Sequence, residues 1–487
     1  MSNHKWKMRD IVVVIPGIMG SELRKDGNVL WPPTNLKKLQ ALLHLSNALA
    51  ELSLTSEEQS DGIQPVRLVT QDLVIPGLLT DRSYTPLKER VSSYFDVICR
   101  ELGDPRPGNY FEFPYDWRRD NRLAASALKT LITFRLQQWR EYKGDPGAKV
   151  ILLCHSMGGL VARYCLEALN GWQECRLLVT FGTPHRGSLK VLSALSTGLH
   201  KWGINVTAFI RSFDSMYQLL PVYAAIEDGS LFKRITEVGP IQGVDENKAR
   251  RGLEFHNEIN TAVEGHLNEP NYLRDRYEVI FITGLGGHTY QSARILLSDS
   301  SASERKVSFE YTLPPHVHPL LLGGDNTVPA LSATPVEYSG KARNVDFVET
   351  HAFLHSNKQV LDYLMGRIKR TQAIGHEQVR DPGDFGMLAQ SDMVVLDMDD
   401  AYFEGEAIEA IVRPLIPDGT LPNLNAVLLS GETGPILLRS TLTRATDGAV
   451  WSLKDLKEGL YRLEITPDGQ NAKRFGLNHL FMVAKGA

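Results

Sequence analysis

Between Lys149 and Leu169 the chain changes its hydrophobic period abruptly. Val150–Cys154 is apolar throughout, Cys154-His155-Ser156-Met157-Gly158 follows, and Gly159–Leu169 then repeats apolar residues at three- and four-residue spacing. A short run that is apolar on every side reads as a strand covered by helices on both faces, the situation of a parallel sheet. The spacing therefore predicts a strand over Lys149–Leu153, a sharp turn at Ser156 and a helix from Gly159. Small residues two before and two after the serine let strand and helix approach closely, and such a turn thrusts the serine hydroxyl above the sheet. Cys154 stands where that turn usually has glycine.

The rest of the chain agrees with this start. Ile11–Ile15, Leu177–Phe181 and Val279–Thr283 are further apolar runs, and Leu123–Tyr142 and Gln359–Lys369 have helical periodicity. Alternating strands and helices predict an α/β fold with a mostly parallel sheet, of the α/β-hydrolase kind. From about Asp392 the pattern shifts to short alternating segments: Asn425–Leu429, Ile436–Leu442, Ala449–Leu453, Tyr461–Ile465 and His479–Val483. Turn signals at Gly431–Gly434, Asp447–Gly448 and Asp468–Gly469 separate them, which predicts a β-sandwich of about seven strands. At 487 residues the chain exceeds one ordinary core. The expected division is a hydrolase domain over 1–375 with insertions near 34–80 and 186–265, a linker over 376–390, and a sandwich over 391–487.

A serine hydroxyl is a weak nucleophile near neutral pH and needs a base, which in turn needs an orienting acid. In this fold both follow the serine in the order acid, then histidine. Asp325 lies in Gly323-Gly324-Asp325-Asn326-Thr327-Val328-Pro329, a loop after an apolar run, and is the candidate acid. For the base, His351 ends the expected strand Asn344–Thr350 and His355 lies four residues on; position at the strand's end favours His351. An acyl-transfer intermediate carries an oxyanion that needs two fixed donors. The candidates are the N–H of Met157 and the N–H of Ile18, which Gly17 lets turn toward the site. His155, His185, His316 and His318 read as structural; His316-Val317-His318 has no third ligand to suggest a metal, and no cofactor motif is evident.

Charge narrows the partners. With 53 Lys and Arg against 57 Asp and Glu, the net charge is -4 and the basic residues are scattered, which argues against a nucleic-acid backbone as ligand. No leader-like segment precedes the first strand, no apolar stretch nears the ~18 residues of a membrane span, and the four cysteines lack disulfide-framework spacing. These point to a cytoplasmic, reducing setting.

Read together, the motifs resemble the lecithin:cholesterol acyltransferase-like family of α/β-hydrolases. The matching pieces are Val13–Ser21 with Leu30-Trp31-Pro32-Pro33, Phe113–Arg118, His155–Gly159, Thr180–Pro184 with Gly187-Ser188, Leu219-Leu220-Pro221, and Gly324–Pro329, in order across nearly all of residues 10–370. The resemblance implies a triad of Ser156, Asp325 and His351, an oxyanion donor after Pro16-Gly17, and a lipid or other acyl-ester substrate. It marks Tyr115–Arg118 as lying near the active-site floor. The final domain, an addition to that family's core, resembles immunoglobulin-like accessory domains and carries no catalytic constellation; binding, docking and stabilising are its open roles, a protein partner among the options. Two segments suit an apolar lid that touches a membrane surface peripherally: Asn35–Leu52, with Leu36, Leu39, Leu43 and Leu49 beside Lys37 and Lys38, and Leu189–Phe213. Either could equally pack on the core. Three functions remain open at this point: a lipase- or phospholipase-type esterase, an acyltransferase to an alcohol, and an idle lipid-binding or scaffold protein.

Overall fold

The structure, a computed structural model, describes residues 5–32, 51–54, 61–75, 79–201, 204–296, 304–339, 344–373, 393–416, 421–431, 434–446, 448–468 and 475–485. Its centre is a six-stranded sheet built from β1 (Ile11–Ile15), β2 (Tyr110–Glu112), β3 (Val150–His155), β4 (Cys175–Phe181), β5 (Glu278–Gly284) and β6 (Asn344–Phe347). The strand order is β6-β5-β4-β3-β1-β2 and every neighbouring pair is parallel.

The β-branched run of β1 shows why these residues make such a sheet. Ile11, Val13 and Ile15 enter one core with Leu128, Ile132 and Leu136 of the helix Asn121–Lys143. Val12 and Val14 enter the other, with Leu87 and Val91 of Thr85–Tyr94 and Leu361 and Leu364 of Lys358–Ala373. Helices thus cover both faces, and a strand needs apolar side chains at every position. The long helix is bounded by local signals: Asp120 accepts from the Arg122 N–H at its start, and Gly144 turns left-handed at φ 64° at its end. Register runs level across the sheet, Val13 beside Leu152, Leu152 beside Leu178, and Leu178 beside Val279. The carboxyl ends of β1, β3, β4 and β5 therefore finish on one edge, where open α/β sheets place their sites.

The C-terminal region forms two further sheets. Among the described residues its strands are β7 (Val394–Asp397), β8 (Ala401–Phe403), β9 (Ile408–Pro414), β10 (Leu424–Ser430), β11 (Ile436–Thr441), β12 (Thr443–Ala445), β13 (Gly448–Leu453), β14 (Gly459–Pro467) and β15 (Leu477–Ala484). One sheet runs β7-β9-β13-β12 and the other β8-β15-β14-β10-β11. Four of the five segments read from the sequence fall within these strands, and the fifth, Ile436–Leu442, runs one residue past β11. The additional strands include three of only three or four residues, too short to show an alternating pattern.

The two halves interlock. Val348 from the hydrolase half is buried in the sandwich core, while Leu480 and Met482 of β15 are buried in the hydrolase core. The expected strand Asn344–Thr350 ends at Phe347 for the same reason: from Val348 the backbone leaves β5 and bridges to Phe475. The expected linker 376–390 lies outside the described residues, as does nearly all of Asn35–Leu52. In the second insertion, Leu192, Leu195, Phe209 and Ile210 are buried in the hydrolase core, so this described apolar face packs inward. Among the described residues no helix is long and apolar enough to cross a membrane.

Candidate active site

Ser156 follows β3 directly and holds φ at 50°, a left-handed backbone uncommon for any residue but glycine. Such strain persists only where surrounding structure imposes it, and it is found disproportionately at functional sites. Here the Ser156 N–H bonds to the Phe181 carbonyl (2.9 Å), and the Thr183 hydroxyl donates to the Ser156 carbonyl (2.8 Å), gripping the turn from both sides. Cys154, at the usual glycine position, sits within β3 and is fully buried in the sheet's core.

The imidazole of His351 reaches this serine. Its Nε2 is 2.9 Å from Ser156 Oγ and its Nδ1 is 2.8 Å from Asp325 Oδ2. Asp325 is almost fully buried, and its other oxygen accepts the N–H groups of Thr327 (3.0 Å) and Val328 (2.7 Å). One oxygen is thereby committed to the loop while the other faces the histidine. The His351 N–H also donates to the Asp325 carbonyl (2.8 Å), so backbone and side chain are bound to the same residue. His355 is turned elsewhere, its Nε2 on the Arg82 carbonyl (3.1 Å) and its ring stacked on Tyr84.

Gly17 packs against the serine so tightly that a β-carbon there would lie 2.9 Å from Ser156 Cβ. Neither the N–H of Ile18 nor that of Met157 makes a hydrogen bond among the described residues. Both remain available to a ligand atom. The Tyr115 hydroxyl donates to the Pro16 carbonyl (3.0 Å), and Trp117 and Tyr115 both bond to Ser21, which fixes the two ends of this loop. That is the structural work of the Tyr115–Arg118 stretch.

Residues 81–240 match the family model of lecithin:cholesterol acyltransferase. Over that third of the chain it is similar to lecithin:cholesterol acyltransferase, and the parallel sheet around it is that of an α/β fold. The matched span contains Ser156 but ends before Asp325 and His351. No curated protein matches the sequence. Among solved structures, the chain is similar to a lipase of Bacillus licheniformis. In that lipase's mature form the identity is 13%, coverage is 75% of this chain and 94% of that one, and the TM-score is 0.35. Its propeptide form gives 12%, 97% and 93%, and 0.36. Phospholipase PlaB of Legionella pneumophila gives 11%, 97% and 90%, and 0.25. These overall likenesses are loose.

Three further residues shape this site: Tyr84, which lies in no motif, and His155 and Gly182, whose motifs gave them no role of their own. Tyr84 accepts the Gly17 N–H (2.9 Å) and lies 2.9 Å from His155 Nδ1, while His155 Nε2 lies 3.2 Å from the His351 carbonyl. Burial, reinforced by His355 and His351, pushes His155 well below its usual range and keeps it neutral; burial likewise pushes Tyr84 up. Directions follow from these states. The His351 carbonyl can only accept, so His155 carries its proton on Nε2, and its Nδ1 accepts from the Tyr84 hydroxyl. One chain of hydrogen bonds thus runs from Gly17 to His351. The third residue is Gly182, with φ at 56°: a β-carbon there would lie 2.7 Å from Asp325 Oδ2 and 2.9 Å from His351 Nδ1. No side chain fits between β4 and the acid–base pair.

Asp81, His155 and His355 bring one potential metal-ligand atom each to within 4.8 Å of one another. Both nitrogens of His155 and Nε2 of His355 have partners within the protein, while Nδ1 of His355 is buried without one. His318 of the His-X-His pair accepts the Leu320 N–H at the start of a short helical turn, and His316 lies against Phe232.

Proposed function

We propose that this chain cleaves ester bonds of a lipid or related acyl substrate through a covalent acyl-serine intermediate, with Ser156 as nucleophile, His351 as base, Asp325 as its orienting acid, and the N–H groups of Ile18 and Met157 as oxyanion donors. The observation that carries the reading is the continuous line of contacts from Ser156 Oγ through His351 to Asp325, at 2.9 and 2.8 Å.

Chemistry follows from these contacts. As Ser156 Oγ attacks the carbonyl carbon, its proton passes to His351 Nε2, and Asp325, held by two backbone N–H groups, stabilises the imidazolium. The carbonyl oxygen gains charge and takes the two free N–H groups; removing one such donor typically costs about 3 kcal/mol of transition-state stabilisation. The imidazolium returns its proton to the leaving alcohol, leaving Ser156 acylated. Water, activated by the same imidazole, then releases the acid. If an alcohol enters instead, the product is a new ester; the family match to an acyltransferase keeps that second reading in play. Because a lipid substrate is drawn from a bilayer or micelle, the proposal includes transient contact with a membrane surface.

A fluorophosphonate probe tests the assignment. Wild type should be labelled at Ser156, and Ser156→Ala should remain folded, lose labelling and lose turnover by roughly 10⁶-fold. Absence of labelling in the wild type would overturn the proposal in favour of an idle lipid-binding or scaffold protein. Chromatography of the products with and without an added alcohol separates hydrolysis from acyl transfer.

A further inference from the structure

We infer that the C-terminal sandwich is a working part of the active site: through Asn478 it grips Glu349 and so holds the loop that carries His351 against Ser156. The inference rests on the reading of His351 as base.

Glu349 stands two residues before His351 and is fully buried. Its two carboxylate oxygens receive four N–H donors: Thr350 N (2.8 Å) and Asn478 N (3.0 Å) on Oε1, Asn357 Nδ2 (2.7 Å) and Asn478 Nδ2 (2.7 Å) on Oε2. Half of the donors thus come from one residue at the start of β15. A buried carboxylate survives only when its lone pairs are filled. Burial pushes the Glu349 carboxyl up to about 7, and each of these donors acts in the opposite sense. Acid and amide therefore depend on one another.

The neighbouring positions are held in the same way. Gly476 N donates to the Val348 carbonyl (3.2 Å), the Thr350 hydroxyl donates to the Asn478 carbonyl (2.9 Å), and Val348 bridges to Phe475 with its side chain in the sandwich core. Val348, Glu349 and Thr350 are each bonded to the sandwich, and the following residue is His351. On its far side the histidine is bound to Asp325, so the loop is stretched between two anchors, one of which belongs to the other half of the protein. Glu349 and Asn478 are positioning residues; neither touches Ser156 among the contacts described.

The test compares Asn478→Ala and Glu349→Gln in the full chain with His351→Ala, and with Leu437→Ala at an exposed sandwich position. Readouts are kcat and KM on a short soluble ester, thermal unfolding, and hydrogen exchange across 344–357. Both positioning variants should fold, lose kcat by about 10- to 100-fold with KM within about twofold, as expected for a base displaced by up to ~1 Å, and exchange faster across 344–357. Leu437→Ala should match wild type. A folded Asn478→Ala with wild-type kcat overturns the inference. Equal losses in Leu437→Ala would overturn it too, because the effect would then be general loosening. Should Glu349→Gln not fold, Asn478→Ala decides alone, since it removes only the side-chain amide and leaves Glu349 three donors; if neither folds, the grip is a folding requirement and the positioning role is refuted. Retained activity in His351→Ala sinks the underlying triad reading instead, and is seen separately.

Discussion

Replacing Gly17 by alanine is the most informative single change at this site. The φ of Gly17 lies outside the left-handed region, so alanine can adopt its backbone. Space is the difficulty. The added methyl would sit 2.9 Å from Ser156 Cβ, 3.3 Å from His155 Nδ1 and 3.5 Å from Ser156 Oγ. Ordinary carbon contacts lie at about 3.5–4.0 Å, so the loop must withdraw from the serine by roughly 0.6–1.1 Å. The Ile18 N–H withdraws with it. A misplacement near 1 Å, or loss of one oxyanion donor, each costs on the order of 100-fold in rate. Stability should change little, because the smaller conformational entropy of an unfolded alanine chain contributes about 0.4–1 kcal/mol against the local crowding. Hydrolysis of a p-nitrophenyl ester should therefore show kcat lowered by roughly 100-fold at nearly unchanged KM and unfolding temperature. A kcat within about threefold of wild type would refute the placement of the oxyanion donors on this loop.

Two further outcomes are expected. Tyr84→Phe leaves the Gly17 N–H and His155 Nδ1 without their partner in a buried site. At about 1–3 kcal/mol for each of the two orphaned groups, chemical denaturation should show a loss of roughly 2–6 kcal/mol, with kcat falling as the loop loosens; unchanged stability would contradict the hydrogen-bond chain. His256 is buried, its Nε2 on the Gln218 carbonyl at 2.7 Å, and burial lowers it to about 4 from its usual 6.5. Its stabilising contribution is complete above pH 6.5 and is lost as pH falls toward 4, because the unfolded chain takes up the proton first; the total is at most about 3 kcal/mol. Denaturant unfolding across that window should be flatter in His256→Gln, and an identical slope would count against the neutral buried state.

The sheet was legible because strands covered on both faces need long apolar runs: β1 is apolar throughout, and β3, β4 and β5 are apolar over most of their length. Ser156, Asp325 and His351 were legible for a different reason: Ser156 directly follows a strand, Asp325 sits in a glycine-rich loop motif and His351 lies shortly past a strand's end, and the structure brings these three together. His351 was separable from His355 by place alone, since the strand's end is where a side chain can reach the serine. Tyr84 and the Glu349–Asn478 pair were not legible, because nothing local sets them apart. Tyr84 meets His155 across 71 residues and Glu349 meets Asn478 across 129, so their pairing exists only after folding. The insertion Leu189–Phe213 was ambiguous because an apolar helical face does not state what it will face. In the structure Leu192, Leu195, Phe209 and Ile210 meet the core.

The anchoring of Glu349 by a residue 129 positions later bears on how the protein is made. Chains leave the ribosome from their amino end at roughly 5–20 residues per second, so about 6–26 seconds separate the emergence of His351's loop from that of the amide that steadies it. During that interval the nucleophile, the acid and the base are all present, yet the base has only one of its two supports. If the proposed activity depends on that grip, a nascent chain would come into it fully only once β15 has docked.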